Sequence, residues 1–184
     1  FKKPKESSKL LYKILKKRLS KTKNYDLLDV GCANGELLYF LNKKFSNINF
    51  HGVDVRSDLI ELAKKKLPSN INLKKIDYNQ KKTLNKKFDI IICAGVISIF
   101  DNLNIFIKNI KKNMKKNTIL LIFDQLNEYD YDVIIAYKDL NSKIANFQSG
   151  FNIWSIKTIK KYFKEKRFVK HPFEIKFDIK QNKK

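Results

Sequence analysis

The stretch LLDVGCANGE, residues 27–36, decides the fold of this chain. Its apolar start predicts a buried strand, and the small residues that follow predict a tight turn with a helix beginning near Asn34. Glycine accepts positive φ angles and close approach, so Gly31 and Gly35 allow the backbone to contact a ligand. Amide groups at the start of the helix face a polar group bound above them. The stretch therefore predicts a ligand-binding edge.

The spacing of the two glycines indicates which kind of ligand the turn can bind. G-x-x-x-G differs from the G-x-G-x-x-G that holds a pyrophosphate, and no Lys-Ser/Thr pair follows as a P-loop requires. A nucleoside without a phosphate chain fits this turn better. Taken alone, a glycine-containing turn after a strand is also consistent with a purely structural turn.

A second strand over residues 47–54 ends on an acidic residue, and a helix follows over residues 59–67. Asp54 lies 23 residues after Gly31, close to the offset of about 20 at which an acidic residue meets ribose hydroxyls. Its two carboxylate oxygens can accept hydrogen bonds from two vicinal hydroxyls. The alternative is an aspartate that caps the helix beginning near Ser57.

The alternation of strands and helices continues along the chain. Residues 70–77 predict a third strand, and residues 88–95 and 118–124 are apolar runs typical of strands buried on both faces of a parallel sheet. An amphipathic helix is predicted between these two runs, at residues 103–114. The pattern predicts an α/β fold with a doubly wound, mostly parallel sheet.

In this order, from Asp29 to Asp124, the motifs resemble those of a class I S-adenosylmethionine-dependent methyltransferase. The resemblance covers about the central half of the chain. It implies a Rossmann-like sheet in the order 3-2-1-4-5 followed by C-terminal strands, with helices on both faces. It also implies one methyltransferase domain over residues 1–184, with S-adenosyl-L-methionine as cofactor and S-adenosyl-L-homocysteine as product.

The resemblance also implies which residues bind the cofactor. The first turn would lie beside the methionine moiety, Asp54 would hold the ribose hydroxyls, and Asp77 would bond the adenine amino group with Tyr78 beside the ring. The loop after the fourth strand would lie under the methyl donor. The implied cofactor-binding residues are Asp29, Gly31, Cys32, Ala33, Asn34, Gly35, Asp54, Val55, Asp77, Tyr78, Cys93, Ala94, Gly95 and Val96.

The chain departs from the family pattern at two places, one that bears on affinity for the cofactor and one that bears on proton transfer during the reaction. Many members have another glycine between the two kept here, where this chain has Cys32, Ala33 and Asn34. The loop at residues 95–100 lacks the histidine that many small-molecule enzymes of the family carry. A familiar proton acceptor is therefore missing.

An acidic and aromatic stretch at residues 124–132 follows the fifth strand of an otherwise basic chain. Ligands of open α/β sheets bind at the carboxyl ends of strands, which favours a substrate-facing role. The catalytic residue stays unassigned, with five candidates for a base: Asp124, Glu128, Tyr129, Asp130 and Tyr131. The alternative is a helix start before residues 133–137, with acidic residues complementing the helix dipole.

Outside the part of the chain that resembles a cofactor-binding domain, two segments are predicted to cover the site. These two segments are interpreted as lid or substrate elements: a helix at residues 7–19, capped near Ser7 or Ser8, and the segment 125–154, with Phe151 and Trp154 offering ring faces to a substrate. The alternative is that these aromatic rings belong to the core. A helix capped by Ser155 follows, and then a strand region at residues 168–179. Only six strands are predicted where the family has seven, so we expect a C-terminally truncated chain.

The chain has 184 residues and a net charge of +22. Because a strongly basic domain attracts phosphate groups, this charge suggests nucleic acid as a binding partner. Only three of the 40 basic residues are arginine, the side chain that binds phosphate bidentately, and this composition favours a solvated lysine surface.

Cys32 and Cys93 are expected to be reduced, His51 and His171 are expected to be structural, and no metal site is predicted. No membrane span or signal peptide is predicted, so a cytoplasmic location is expected. The oligomeric state is left open.

Three hypotheses for the function follow from the resemblance. The leading one is SN2 transfer of the methyl group to a small organic acceptor, with a sugar or surface-polysaccharide precursor as a candidate. The second is an RNA methyltransferase, although nucleic acid is the less favoured partner. The third is a non-catalytic domain that keeps the fold for binding.

Overall fold

A computed structural model describes residues 3–80, 82–138, 140–141, 148–163 and 167–172 of the chain. The helices are α1 (Glu6–Arg18), α2 (Glu36–Asn42), α3 (Ser57–Lys66), α4 (Asn104–Lys112) and α5 (Ile156–Tyr162), with a 3₁₀ helix at Ile97–Ile99. The longer strands are β1 (Tyr25–Val30), β2 (Ile48–Asp54), β3 (Asn72–Lys75), β4 (Phe88–Ala94) and β5 (Met114–Phe123). The two-residue strands are β6 (Leu126–Asn127), β7 (Ala136–Tyr137), β8 (Gln148–Ser149) and β9 (Trp154–Ser155).

The five longer strands form one parallel sheet in the order β3-β2-β1-β4-β5. Asp29 on β1 is level with Gly52 on β2 and Ile92 on β4. The strands therefore end along one edge, and the loops that follow them are neighbours. This arrangement confirms the predicted fold class and strand order.

Two apolar cores cover the two faces of the sheet. Leu27 and Ile90 pack with residues of α1, α2 and α3, whereas their neighbours Leu28 and Ile91 pack with residues of α4 and α5. Successive strand residues point to opposite faces, which is why continuous apolar runs suit a sheet buried on both sides. Each fully buried leucine or isoleucine contributes about 1.5–3 kcal/mol to folding. The cores hold the strand ends in fixed relative positions.

A small β unit follows β5. Strand β6 pairs with β9 in parallel, β7 pairs with β8 in antiparallel, and Val133 forms a bridge with Ile153. The alternative prediction of a helix at residues 133–137 is therefore wrong. Val133, Ile134 and Ile135 are β-branched, and such residues favour extended backbone when a partner strand is present.

Other boundaries differ slightly from the predictions. Helix α1 begins at Glu6, so Ser7 and Ser8 lie inside it and the predicted cap near these residues is wrong; the N-cap residue is Lys5, which makes no side-chain cap hydrogen bond. Strand β5 begins at Met114, four residues before the predicted start. The cap of α5 is confirmed, since the Ser155 hydroxyl oxygen accepts from the Thr158 amide at 3.0 Å. Of the predicted strand at residues 168–179, residues 168–172 form no strand and the rest lies outside the described residues.

The described residues contain neither a candidate membrane span nor a candidate metal site. None of the helices in the described part is long and apolar enough to cross a membrane. Within the same residues, no three side chains of histidine, cysteine, aspartate or glutamate form a group that could hold a metal ion.

Candidate active site

The first turn, residues 31–35, is built on two glycines with left-handed backbone. Gly31 has φ +76° and Gly35 has φ +81°. A Cβ at Gly31 would lie 2.4 Å from Val96 Cγ2, and one at Gly35 would lie 2.4 Å from Leu67 Cδ1. Both positions therefore exclude any side chain, and the turn packs directly on the residue that follows Gly95.

Backbone amides tie the first turn to the end of β2. The Gly31 and Cys32 amides both donate to the Val53 carbonyl, at 2.8 and 3.0 Å. Ala33 has φ +47°, in the region that favours glycine, and its amide donates to Asp54 Oδ2 at 2.9 Å. The turn thus keeps its shape although one position lacks the glycine found in many family members.

Asp54 links the first turn to the start of α3. While Oδ2 accepts from Ala33, Oδ1 accepts from the Arg56 amide at 2.9 Å. The hydrogen bond from the Arg56 amide is a local contact at the start of α3, of the kind that the capping alternative predicted. The N-cap residue of α3 is, however, Arg56 and not Asp54. A carboxylate has about four lone-pair sites, so these two bonds leave acceptor capacity for further donors.

Asp29 is a buried carboxyl group, only 2% exposed, at the end of β1. Burial first, and then the charge of Asp54, raises its pKa to about 7. Neither cause involves a neighbouring cation. Burial likewise raises the pKa values of the Cys32 and Cys93 thiols, and the charge of Asp29 raises both further. The end of β1 is thus surrounded by acidic and neutral groups.

The loop after β3 contains Asp77 and Tyr78. Asp77 is half-buried, and its Oδ1 accepts from the Asn79 amide at 2.8 Å. Tyr78 is buried in the core, where its hydroxyl donates to Asn113 Oδ1 at 2.9 Å and burial raises its pKa. The side chain of Tyr78 thus has a packing role, whereas Asp77 keeps a carboxylate near the surface.

Two buried asparagines of α4 and its end, which the sequence analysis did not single out, fix this loop. Asn109 Nδ2 donates to the Tyr78 carbonyl at 2.9 Å, and Asn113 Nδ2 donates to the Leu84 carbonyl at 2.7 Å. The signal in the sequence is an asparagine on the apolar side of an amphipathic helix. A buried amide needs hydrogen-bond partners, and here they are loop carbonyls.

The post-β4 loop, residues 95–101, is open beside the first turn. Gly95 has φ +69°, and a Cβ there would meet nothing within 4 Å. Its amide donates to the Phe123 carbonyl at 2.8 Å, which holds the loop at the end of β5. Cys93 and Val96 are buried on either side, whereas Val55, after Asp54, is exposed. The backbone at Gly95 therefore borders open space that a ligand can occupy.

The three carboxylates among the base candidates all have partners. Asp124 Oδ2 accepts from the amides of Ile97 (3.0 Å) and Ser98 (3.3 Å), so Asp124 positions the 3₁₀ helix. Glu128 and Asp130 are exposed and pair with Lys170 (2.6 Å) and Lys157 (2.5 Å). The hydrogen bond from Lys170 lowers the pKa of Glu128. None of these contacts identifies a base.

The aromatic candidates separate into exposed and buried rings. Tyr129 and Tyr131 are exposed and stack with centroids 5.5 Å apart and planes 8° apart. Phe151 is 74% exposed. Trp154 is only 6% exposed, and its indole N–H donates to the Ile97 carbonyl at 2.9 Å. The expectation that Trp154 offers its ring to a substrate is wrong, because the ring completes the core.

Asp132, which the sequence analysis did not propose as a site residue, anchors the segment after β5. It accepts from the Ser155 amide at 2.7 Å and from the Thr158 hydroxyl at 2.8 Å. Burial raises its pKa, but these hydrogen bonds outweigh burial and leave the pKa below the usual value. Asp132 therefore joins the acidic stretch to α5.

Comparison with known proteins places the chain in a family. A family model described as "Methyltransferase domain" matches residues 21–174, well over half of the chain. The chain therefore belongs to this methyltransferase domain family.

Curated relatives share a part of their length with this chain. Malonyl-[acyl-carrier protein] O-methyltransferase of Priestia megaterium is 29% identical over 125 residues, which are 67% of this chain and 45% of that protein. Ubiquinone biosynthesis O-methyltransferase of Pelagibacter ubique is 33% identical over 104 residues, 54% of this chain and 42% of that protein. The chain thus matches less than half the length of each relative.

A solved structure has the same fold. Coclaurine N-methyltransferase, bound to N-methylheliamine and S-adenosylhomocysteine, superposes with a TM-score of 0.61. The match covers 87% of this chain and 48% of that one, at 16% identity. At such low identity the likeness concerns the fold.

Proposed function

We propose that this protein transfers a methyl group from S-adenosylmethionine to a small organic acceptor. The observation that carries the proposal is the meeting of three loops at one sheet edge: the first turn, Asp54 and the open backbone at Gly95. Ligands of open α/β sheets bind at this edge. Membership of the methyltransferase domain family supports methyl transfer as the activity.

The residues at this edge fit the proposed cofactor. Asp54 has acceptor capacity for the ribose hydroxyls, and Asp77 has a carboxylate oxygen suited to an amino group of the adenine. Asp29 supplies a buried carboxyl group with no cation among the causes of its pKa shift, which suits a ligand carrying ammonium and sulfonium charges. The S-adenosylhomocysteine bound to the coclaurine enzyme agrees with this choice of cofactor.

The chemistry requires little from the protein beyond alignment. S-adenosylmethionine supplies a methyl group on a positively charged sulfur, and a lone pair on the acceptor displaces it in line. Holding the acceptor in line can supply about 7–11 kcal/mol. The carboxylates of Asp124, Glu128 and Asp130 are engaged elsewhere, so we assign no base to them. An amine or carboxylate acceptor needs none.

The choice of a small organic acceptor is supported by the two relatives named above, a malonyl-[acyl-carrier protein] O-methyltransferase and a ubiquinone biosynthesis O-methyltransferase. A sugar or surface-polysaccharide precursor is the second candidate. The exposed stack of Tyr129 and Tyr131 favours it, since flat aromatic faces suit sugar rings.

Calorimetry with S-adenosylhomocysteine tests the proposal. We expect one saturable site whose affinity falls at least about tenfold in Asp54→Asn, because hydrogen bonds to a charged group contribute about 1.5–3 kcal/mol. Asp58→Asn is the matched control, since Asp58 is exposed on α3 and pairs with Arg56, and its affinity should not change. Thermal midpoints show that both variants are folded. Absence of binding heat in the unmodified protein would instead favour the non-catalytic domain.

A further inference from the structure

Phe151 has a backbone conformation that its side chain disfavours. Its φ is +61°, in the left-handed region that bulky residues rarely adopt. Of the described residues outside glycine, only Ala33 in the first turn shares this feature. Such a conformation persists where the surrounding structure enforces it, and it is concentrated at functional sites.

The next residue enforces the conformation. Asn152 is fully buried; its amide donates to the Ser98 carbonyl at 2.8 Å, and its Nδ2 donates to the Phe100 carbonyl at 2.8 Å. Its Oδ1 accepts from the Ile135 amide, also at 2.8 Å. Asn152 thus bonds the residues on both sides of Ile99. It fastens the backbone beside Phe151 to the post-β4 loop.

The fastened segment leaves two large apolar side chains in solvent. Phe151 is 74% exposed and Ile99 is 54% exposed, although Gly150, Asn152 and Trp154 are buried. Burial of its neighbours shows that the segment is not loosely attached. The exposed ring is therefore not a consequence of poor packing of the segment.

Phe151 and Ile99 are connected to the candidate active site through the post-β4 loop. Ile99 lies four residues after Gly95, on the loop that follows β4 at the carboxyl edge of the sheet. A groove of about 520 Å³ lies along the same loop, and its lining combines three apolar residues with four polar ones: Ile99, Phe100, Ile105, Asn79, Asp101, Asn102 and Asn104. Its three apolar residues suit an apolar face of a ligand, and its four polar residues suit polar groups at the edge of that ligand.

We propose that Phe151 and Ile99 form the apolar rim of the acceptor site and select an acceptor with a flat, apolar ring. This proposal rests on the methyl transfer proposed above and names its substrate class. Phe151 is then a specificity-determining residue, because its ring contacts the acceptor, and Asn152 is the residue that positions it. A sugar has no apolar ring of this kind and would gain little from the rim.

The test uses protein saturated with S-adenosylhomocysteine and two probes, 2,3-dihydroxynaphthalene and methyl α-D-glucopyranoside. We expect the naphthalene to bind and the glucoside to bind much more weakly. In Phe151→Gly, affinity for the naphthalene should fall about tenfold, as expected from the loss of an aromatic contact. Glycine also relieves the positive φ, so the thermal midpoint should stay equal or rise.

Leu62→Ala is the matched control, because it removes an exposed apolar side chain from α3 and should change neither value. Equal naphthalene affinity in Phe151→Gly and the unmodified protein would overturn the proposal, as would tighter binding of the glucoside. A lower thermal midpoint with unchanged affinity would give Phe151 a structural role only. Failure of S-adenosylhomocysteine to bind at all would instead reject the proposed function.

Discussion

The first turn and the insert, which we define as residues 124–138 and 148–155, lie at the same sheet edge but are held in different ways. Backbone conformation and amide bonds shape the turn, since Gly31 and Gly35 adopt positive φ and exclude side chains. Side-chain amides and carboxylates hold the insert, through Asn152 and Asp132. The proposed cofactor side is thus built locally, and the proposed acceptor side depends on partners distant in sequence.

This difference has a functional consequence. A backbone-built cradle tolerates few changes, which suits a cofactor that does not vary. A segment fastened by a few side chains can change its exposed residues while its anchors remain, which suits an acceptor site. Substitutions in the two regions should therefore have separable effects.

The largest effect is expected from Gly31→Ala. The new Cβ would meet Val96 Cγ2 at 2.4 Å in a left-handed backbone, which should cost about 4 kcal/mol of unfolding free energy and abolish S-adenosylhomocysteine binding. Chemical denaturation and calorimetry measure both. Gly95→Ala is the control for stability alone, since its Cβ meets no neighbour in the protein and should cost only about 1 kcal/mol of unfolding free energy. Equal losses for both variants would show that the packing on Val96 is unimportant.

Asn152→Ala should affect the other region. Loss of the side chain leaves the Ile135 amide and the Phe100 carbonyl without these partners, at a cost of about 3 kcal/mol. Hydrogen exchange should accelerate in residues 148–155 and the post-β4 loop, while S-adenosylhomocysteine affinity changes less than about twofold. A large loss of that affinity would contradict the separation of the two regions.

A pH dependence should come from Asp29, which faces Asp54, Cys32 and Cys93. Its pKa is raised to about 7 in the folded protein, so its contribution to stability is present at low pH and is lost as pH rises to about 7. Between pH 5 and 7 this loss is about 2 kcal/mol relative to Asp29→Asn.

Urea denaturation of both proteins across this range measures the difference. The ammonium group of S-adenosylhomocysteine, placed beside Asp29, favours the ionised carboxyl group, so S-adenosylhomocysteine affinity should rise over the same range in the unmodified protein. Parallel stability curves for the two proteins would mean that Asp29 does not titrate there.

The smallest effect is expected at Ala33. Its φ of +47° suits glycine, so Ala33→Gly should stabilise the protein by about 1 kcal/mol. The same change at Ala63, buried within α3, should destabilise it by at least about 1 kcal/mol. Denaturation midpoints measure both signs. Destabilisation by Ala33→Gly would show that the turn is not strained at this position.

The contrast between the regions also explains what the sequence could reveal. The strands and the positions of Asp29, Asp54 and Asp77 at their ends were predictable, because apolar runs and turn glycines are local signals. The strand order followed from the resemblance to the methyltransferase family. The same reasoning failed for residues 133–137, whose extended backbone depends on Gln148 and Ser149 across the insert.

Buried amides were the second class of features that sequence reasoning missed. Asn109 lies on the apolar side of an amphipathic helix, but the sequence does not reveal its partners or those of Asn113 and Asn152, which are carbonyls and amides at least 17 residues away. Trp154 shows the same limit, since its burial follows from a bond to Ile97. Long-range hydrogen bonding leaves little mark on local sequence.

A crystal structure of the protein with S-adenosylhomocysteine tests the central claim most directly. We expect the ribose hydroxyls within hydrogen-bond distance of Asp54, the amino-acid end beside Gly31, and the sulfur facing the open side of Gly95. Ligand bound at another surface, with the edge between the first turn and the post-β4 loop filled by side chains, would contradict the account.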